Sequence, residues 1–498
     1  MKQLLTLTTT LFLAHTLLAQ TKVFKEVGEE ISTQVKAITQ DNVLVGYLAF
    51  TRLEKADADS FNYRITVMDE NLNDIGTLNF KQENLELQGV SFEQDVLCMG
   101  YIKSPLAGLL SAKEARKAYK NGSHSQVLVQ FISLAGKILK TYSTNVDLTT
   151  QAVAVGRGFG ASIREISYLK YGMQLKNIAK FGFCLFYGDE SKKDLLVFDA
   201  AGNLRRDKKV TADVTSYYLF SSSPNFYLLT KLNGYQGEEG NRLFIYSISD
   251  STTEYKYDLK DKKGDWLKAL TFDNDPITGK AFLAGCIINP DRTRSFTTAR
   301  DYSNAPYVGL FTLNLGNNEK DVQATYSYWN DEHMSGINRD GLFTDKSFYV
   351  KYATAFKDYN GNTVFAGAAL MEKRLLGAAK YRLADGVFLV QDPKGELKLD
   401  NNIPCDETSY FGPASSVAEL DKKDFYKVAN SETKTNYIII DDEDNTYIYN
   451  VNGKKVMRTI QHKDRGIKTR ISPAKEGHIM VAEYNRKEKY TRLSIEAL

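Results

Sequence analysis

The residues able to do chemistry are scattered rather than grouped. Beyond the first twenty positions the chain holds four histidines, His124, His333, His462 and His478. No two stand at the spacing that brings two imidazoles onto one metal ion. The zinc-protease pattern HExxH and the nucleophile elbow GxSxG are both absent. A Ser-His-Asp triad can be assembled from distant positions, so these absences exclude none and leave no reason to name one. Glycoside cleavage needs only two carboxylates, and 61 acidic residues offer too many pairs to choose between. The Asp-x-Gly box that sialidases carry is missing, because Asp358-Tyr359-Asn360-Gly361 has one residue too many between Asp and Gly.

Shorter motifs read better as structure. Gly156-Arg157-Gly158-Phe159-Gly160 lacks the spacing and the strand-loop-helix setting of a phosphate cradle and reads as a flexible connection. Asp69, Asn71 and Asn73 begin like a calcium loop. Asp74 then stands where glycine is required, and Phe80 where the bidentate Glu belongs, which leaves a hairpin turn. The acidic run Asp441-Asp442-Glu443-Asp444 could hold calcium weakly, with a solvated hairpin the favoured reading. Cys98, Cys184, Cys286 and Cys405 lie far apart, and the first three sit inside apolar runs where a free thiol packs as a small hydrophobe. A Cys98 to Cys184 disulfide stays open. No cofactor and no metal are expected.

Recognition chemistry is better supplied. Arg116, Tyr119, Arg292, Arg294, Arg300, Tyr302, Trp329, His333 and Arg374, with Lys113 and Lys373 beside them, would suit an acidic or glycan ligand. Binding is therefore expected ahead of catalysis. The alternative is a glycan-acting hydrolase or lyase with carboxylates near a central channel. Basic and acidic residues number 64 and 61, so no global field gathers nucleic acid, which is not an expected partner.

The elements that must position these side chains are strands. The chain has 30 Tyr, 26 Phe and only 9 Pro, and runs such as 42–51, 61–68, 126–133, 226–232, 242–248, 307–315 and 436–441 read as half-buried strands. Many run into the same device, a tight turn with Gly or Asn supplying a positive φ, at Leu134-Ala135-Gly136-Lys137, Ala200-Ala201-Gly202-Asn203, Pro393-Lys394-Gly395-Glu396 and Val451-Asn452-Gly453-Lys454. These turns recur at a period of about 60 residues, with weaker versions in the gaps, and a unit of that size holding four short strands is a propeller blade.

Seven complete units follow, with last hairpins near residues 72, 136, 202, 251, 317, 395 and 453. The tail supplies only three more strands, at 468–472, 477–484 and 489–495, and residues 22–27 offer the missing fourth. The expected fold is all-β: a single β-propeller of four antiparallel strands per blade, eight blades favoured and seven the alternative, closed by the N-terminal strand so that no sheet edge is left open. Two separate β domains remain a further alternative.

The long connections then fall on one face. They are a predicted helix within 104–122, the inserts 289–306 and 372–385, and the links 144–165 and 329–346. Binding faces grow where loops are long. Residues 1–19 carry Lys2, an apolar run from Leu4 to Leu18 and Ala19, the order of a signal peptide. Residues 20–498 are then the propeller domain, exported as a periplasmic, surface-associated or secreted monomer, with a retained N-terminal anchor the alternative. No later run reaches membrane-spanning length. The turns Asp273-Asn274-Asp275-Pro276-Ile277-Thr278-Gly279-Lys280 and Lys357-Asp358-Tyr359-Asn360-Gly361-Asn362 look like inner hairpins of repeat propellers. With the leader ending Ala19-Gln20, the chain resembles the uncharacterised exported propellers of the Bacteroidota. That resemblance implies fold and export, and no activity.

Overall fold

The computed structural model describes residues 20–25, 32–57, 60–107, 109–120, 124–155, 162–210, 214–223, 225–232, 241–248, 254–289, 307–316, 321–331, 336–375, 378–411, 423–442, 444–464, 466–485 and 487–498. They form an eight-bladed β-propeller. Blade one is Ser32–Gln40, Val43–Lys55, Ser60–Asp69 and Asp74–Glu83. Blade two is Leu85–Glu93, Val96–Lys103, Ser125–Ser133 and Ile138–Val146. Blade three is Met173–Ile178, Gly182–Gly188, Lys193–Asp199 and Leu204–Lys209, and blade four is Val214–Ser222, Asn225–Leu232, Asn241–Ser247 and Glu254–Asp258. Blade five is Trp266–Asn274, Ala281–Ile288, Tyr307–Leu315 and Val322–Tyr328. Blade six is Tyr349–Lys357, Thr363–Leu375, Ala378–Gln391 and Leu397–Ile403, and blade seven is Asp424–Asn430, Thr435–Asp441, Asn445–Asn450 and Lys455–Gln461. Blade eight joins Ile467–Pro473, His478–Asn485 and Tyr490–Ala497 to the N-terminal strand Gln20–Lys25.

Burial follows position in the blade. Second strands are covered by neighbouring blades on both faces, so Ala281–Ile288 and Gly182–Gly188 are buried along their whole length. Outermost strands keep alternating exposure, as along Asp74–Glu83. Eight apolar clusters fill the eight joints between successive blades. The joint between blades eight and one holds Leu493 and Ile495 against Tyr47, Ala49, Met68 and Leu72, with Phe24 packed on it. Gln20 pairs with Ile495 and Lys25 with Tyr490, so the N-terminal strand closes the ring as expected.

One five-residue turn recurs around the short-turn face. Its first residue is Asp, and that carboxylate accepts the N–H of the residue four positions on, as from Asn73, Asn203, Asn362 and Glu396. The fourth residue is left-handed: Gly202, Gly361 and Gly395 have φ of 83°, 84° and 91°, and Leu72 takes the place in blade one with φ 66°. Leu72 is tolerated there because its side chain fills the closing joint. The blade-seven turn departs from expectation, since Lys454 rather than Gly453 is left-handed.

The opposite face carries the additions. Leu109–Ser111 pairs with Ser162–Tyr168, which pairs with Thr149–Val155, making a three-stranded sheet outside the ring. Helix α1 (Ala112–Lys120) follows and turns its single buried side chain, Ala115, inward. It starts later than the sequence suggested. Ser104 caps no helix; it hydrogen-bonds Ser125 Oγ at 2.8 Å. The cap is Ser111, whose N–H reaches Glu114 at 2.7 Å while Glu114 N–H reaches back to Ser111 Oγ at 3.3 Å, a reciprocal capping box. The insert 372–385 also differs, because both flanking strands of blade six continue through it and Thr408–Phe411 pairs alongside. Among the described residues no helix is long and apolar enough to cross a membrane.

Candidate functional site

Contacts between blades that are not neighbours can be made only across the ring axis, and they mark its lining. The two-residue turn Asp41-Asn42 of blade one, with φ of 51° and 65°, points its polar atoms at blades three and four. Asp41 N–H donates to Asn177 Oδ1 at 2.9 Å, and Asn42 Nδ2 donates to Ser221 O at 3.1 Å. Asn177 Nδ2 donates to Asp41 Oδ1 at 2.8 Å and to Glu93 Oε2 at 2.9 Å, and Lys180 N–H satisfies Glu93 Oε1 at 2.9 Å. Asn177 and Glu93 are buried. This layer forms a floor across the axis at the short-turn end.

Lysines join the lining above the floor. Lys427 of blade seven reaches past blade six to Asp273 of blade five at 3.4 Å. Lys176 of blade three comes within 3.5 Å of Asn42 Oδ1. Burial pushes the Lys176 ammonium below the usual lysine range, against the pull of Cys184 and Asp273. The Tyr218 phenol is pushed up by burial and by Asp273. Lys36, Lys268, Lys351, Lys468 and Arg470 also lie on innermost strands, as do Glu86 and Asp424. Tyr218 is 43 % exposed although it lies on an innermost strand. A cavity of about 390 Å³ opens in the wall between blades four and five, lined by Ser216, Tyr218, Lys231, Asn241, Lys268 and Thr271 among others. Lys268 donates to the Tyr307 hydroxyl there at 3.1 Å.

The residues singled out from sequence meet different fates. Arg116 and Tyr119 stand exposed on helix α1, Tyr119 bonded through its hydroxyl to Thr150 Oγ1. Trp329 faces inward at 2 % exposure, its Nε1 donating to Tyr307 O at 3.0 Å, and it stacks on Tyr352 in the joint between blades five and six. Phe343 and Phe348 turn into the same joint, so the described part of the link that follows blade five packs these side chains into the core. Arg374 lies in the extended hairpin of blade six, paired with Ala379. Arg292, Arg294, Arg300, Tyr302 and His333 lie outside the described residues, as do 1–19 and Gly156 to Gly160.

Other motifs are structural. Asp442 is no solvated turn residue: it is buried with its carboxylate 3.0 Å from Lys423 Nζ. Asp441 and Thr446 hold the His462 ring at 3.0 and 2.7 Å. The four cysteines are free, with Cys98 and Cys184 facing the cores on opposite sides of blade three. Burial pushes the thiols of Cys184 and Cys286 up to about 12. No group of three His, Cys, Asp or Glu side chains that could hold a metal occurs among the described residues. The axial residues were missed by sequence reasoning, though a signal existed. A lysine directly follows an apolar or aromatic residue on six innermost strands, at Val35-Lys36, Leu175-Lys176, Leu267-Lys268, Val350-Lys351, Tyr426-Lys427 and Ile467-Lys468.

No family model matches the chain, and neither does any curated protein. Solved structures do. The WD40 domain of SCAP from fission yeast is 10 % identical, over 95 % of this chain and 98 % of that one, at a TM-score of 0.37. AztD from Citrobacter koseri is 9 % identical over 91 % and 96 %, with a TM-score of 0.37, and a DUF4221 member from Bacteroides vulgatus is 9 % identical over 70 % and 99 %, with a TM-score of 0.35. Likeness this faint carries no functional argument, and the fold rests on the strand ladders themselves.

Proposed function

We propose that the protein is an exported binding propeller that engages a protein, peptide or polysaccharide through its loop-rich face. The observation that carries this reading is the one-sided growth of the ring. The three-stranded sheet, helix α1, the long hairpin of blade six and Thr408–Phe411 all stand on the face where second strands meet third strands and where blades are linked. Among the described residues the opposite face carries only short turns, from the two-residue Asp41-Asn42 to the six residues Asp275 to Lys280. Added structure on one face of a rigid scaffold is where recognition is placed at least cost to the core. Catalysis is less well supported: among the described residues the carboxyl groups with perturbed acidity, such as Asp189, Asp199 and Asp275, are pushed down by hydrogen bonds despite burial, and a glycosidase needs one pushed up. Export rests on the leader at 1–19, and an N-terminus at Gln20 in protein recovered outside the cytoplasm is the expected finding.

Arrays of glycans and peptides probed with the full mature chain test the binding reading. A ligand found there should be lost when residues 108–123 are replaced by a short turn, or when Arg292, Arg294 and Arg300 are changed together to Ala, with the melting temperature kept. Retention in both variants, with loss on changing Asn203 or Asn452 of the short-turn face, would put the ligand on the wrong side of the ring and overturn the reading.

A further inference from the structure

The two turns singled out in the sequence as propeller hairpins, Asp273 to Lys280 and Lys357 to Asn362, meet at the short-turn end of the joint between blades five and six. Lys357 Nζ lies 2.6 Å from Asp275 Oδ2, and both side chains are less than a tenth exposed. Beside this pair the Thr312 hydroxyl of blade five meets Thr363 Oγ1 and Gln391 Oε1 of blade six at 2.9 and 2.7 Å. Other joints are apolar at this end. Phe131, Tyr142 and Phe198 fill it between blades two and three, and Ile65, Leu78 and Ile132 between blades one and two. The polar joint instead leaves a cavity of about 500 Å³, within the range of small-molecule sites.

Its wall on blade five is a square of polar side chains, with Asn314 opposite Gln323 and Thr312 opposite Thr325 across the third and fourth strands. Thr312 is spent on blade six. Asn314 Oδ1 is buried without a partner, and Gln323, Thr325 and the Lys280 ammonium make no side-chain hydrogen bond or ion pair among the described residues. Asp392 caps its own turn through Oδ1 alone, which leaves Oδ2 to accept. Two cations, Lys280 and Lys357, line the cavity with two carboxylates, Asp275 and Asp392, so an anion gains no advantage there. A buried acceptor with no donor, beside groups that both give and take, is best satisfied by hydroxyls. Between them Ala281, Ala324 and Pro393 offer apolar surface to the C–H faces of a ring.

We propose that this cleft binds a neutral sugar, either a free monosaccharide or the terminal unit of a glycan. One hydroxyl donates to Asn314 Oδ1, and Gln323, Thr325, Lys280 and Asp392 Oδ2 serve its neighbours. The site lies on the face away from the crown and stands whether or not the crown binds a macromolecule.

Saturation-transfer NMR and calorimetric titration of residues 20–498 provide the test. The probes are D-glucose, D-galactose, D-mannose, N-acetyl-D-glucosamine and their methyl β-glycosides, with D-glucuronate and inorganic phosphate as charged controls. At least one neutral sugar should bind in the millimolar range or tighter, glucuronate no better than glucose, and phosphate not at all. Equal binding of the methyl glycoside would identify a glycan terminus as the ligand, and its exclusion a free monosaccharide, both at this site. Affinity should fall about fivefold or more in N314L and in Q323A, the ratio one lost neutral hydrogen bond is worth. N314L should keep the melting temperature or raise it, because it replaces an unpartnered acceptor with the apolar filling of the other joints. Gln323 is exposed, so Q323A leaves the core untouched. Replacement of residues 108–123 should change none of these values, and loss of the sugar in that variant would move the ligand to the crown. That result, failure of every neutral sugar to bind, binding of the charged controls in their place, or equal affinity in both point variants and the wild type overturns the proposal.

Discussion

Removing residues 20–25 should destabilise the whole ring, and the size of the loss can be worked from what that strand covers. Its six residues pair with Tyr490–Ala497, and the ladder bonds they make are offset to first order by the conformational entropy of ordering them. The net loss therefore comes from the joint. Leu493 and Ile495 are 3 % and 5 % exposed, and Phe24 packs on the same cluster. Uncovering about half of each aliphatic side chain and giving up the burial of Phe24 costs roughly 1 kcal/mol apiece, about 3 kcal/mol together. The pair of Lys22 with Asp74 at 2.5 Å is half exposed and adds at most about 0.5 kcal/mol. Residues 20–498 number 479, so their unfolding entropy is on the order of 1 kcal/mol per kelvin at the midpoint. A fall in melting temperature of about 3 °C follows, together with a newly open sheet edge. Differential scanning calorimetry of residues 20–498 and of residues 26–498 reads the difference, and a peptide of residues 20–27 added in trans should restore part of it. Equal melting temperatures would refute closure by this strand.

Three other outcomes follow from the structure. Gly136 and Gly202 share a left-handed φ near 80°, yet a Cβ at Gly202 would lie 2.6 Å from the Phe131 ring while one at Gly136 meets nothing; Gly136→Ala should cost about 1 kcal/mol and Gly202→Ala about 2 to 4, read by urea unfolding. Burial raises the Asp199 carboxyl, but bonds from Asn203 and Arg205 outweigh it and hold its pKa below the usual aspartate range. A depressed carboxyl contributes stability above the unfolded value and loses it as pH falls through the folded one, so Asp199→Asn should cost about 0.5 to 1 kcal/mol at neutral pH and nothing well below pH 3.8. Cys98, Cys184 and Cys286 are fully buried with thiols pushed up, so mass spectrometry should find them unalkylated by iodoacetamide until the chain unfolds; rapid labelling of any of them in the native state would contradict the described core.

The blade count was legible because the turn device is local. An Asp, a left-handed Gly and an Asn or Glu within five residues specify a hairpin wherever they occur, and their spacing announces the repeat without any knowledge of packing. Helix α1 was displaced for a related reason. Pro105 and the leucines at 106, 109 and 110 advertise a helix, but Leu109–Ser111 finds a strand partner in Arg164–Ile166, more than fifty residues away, and tertiary pairing overrides the local pattern. The Ser111-x-x-Glu114 box was the better start signal, since it satisfies two N–H groups that nothing else in the segment supplies.

Trp329 shows why the face was easier to read than its residues. A link seen only as sequence offers its aromatic and basic side chains equally, and composition gives no means of telling which way each turns. The Trp329 indole is drawn into the joint because Tyr352 and the Tyr307 carbonyl are there to meet it, while Lys176 and Lys427 are held at the axis because the strands they belong to are innermost. The six apolar-lysine pairs look like ordinary strand alternation until the first strand of each repeat is known to be the axial one. Side chains at that position cannot all pack against a neighbouring blade, and a charge there finds the opposite wall instead. Recognising the innermost strand therefore converts a commonplace residue into an axial one, and that assignment depends on ring closure by Gln20–Lys25, which fixes the fourth strand of blade eight and leaves Ile467–Pro473 on the axis.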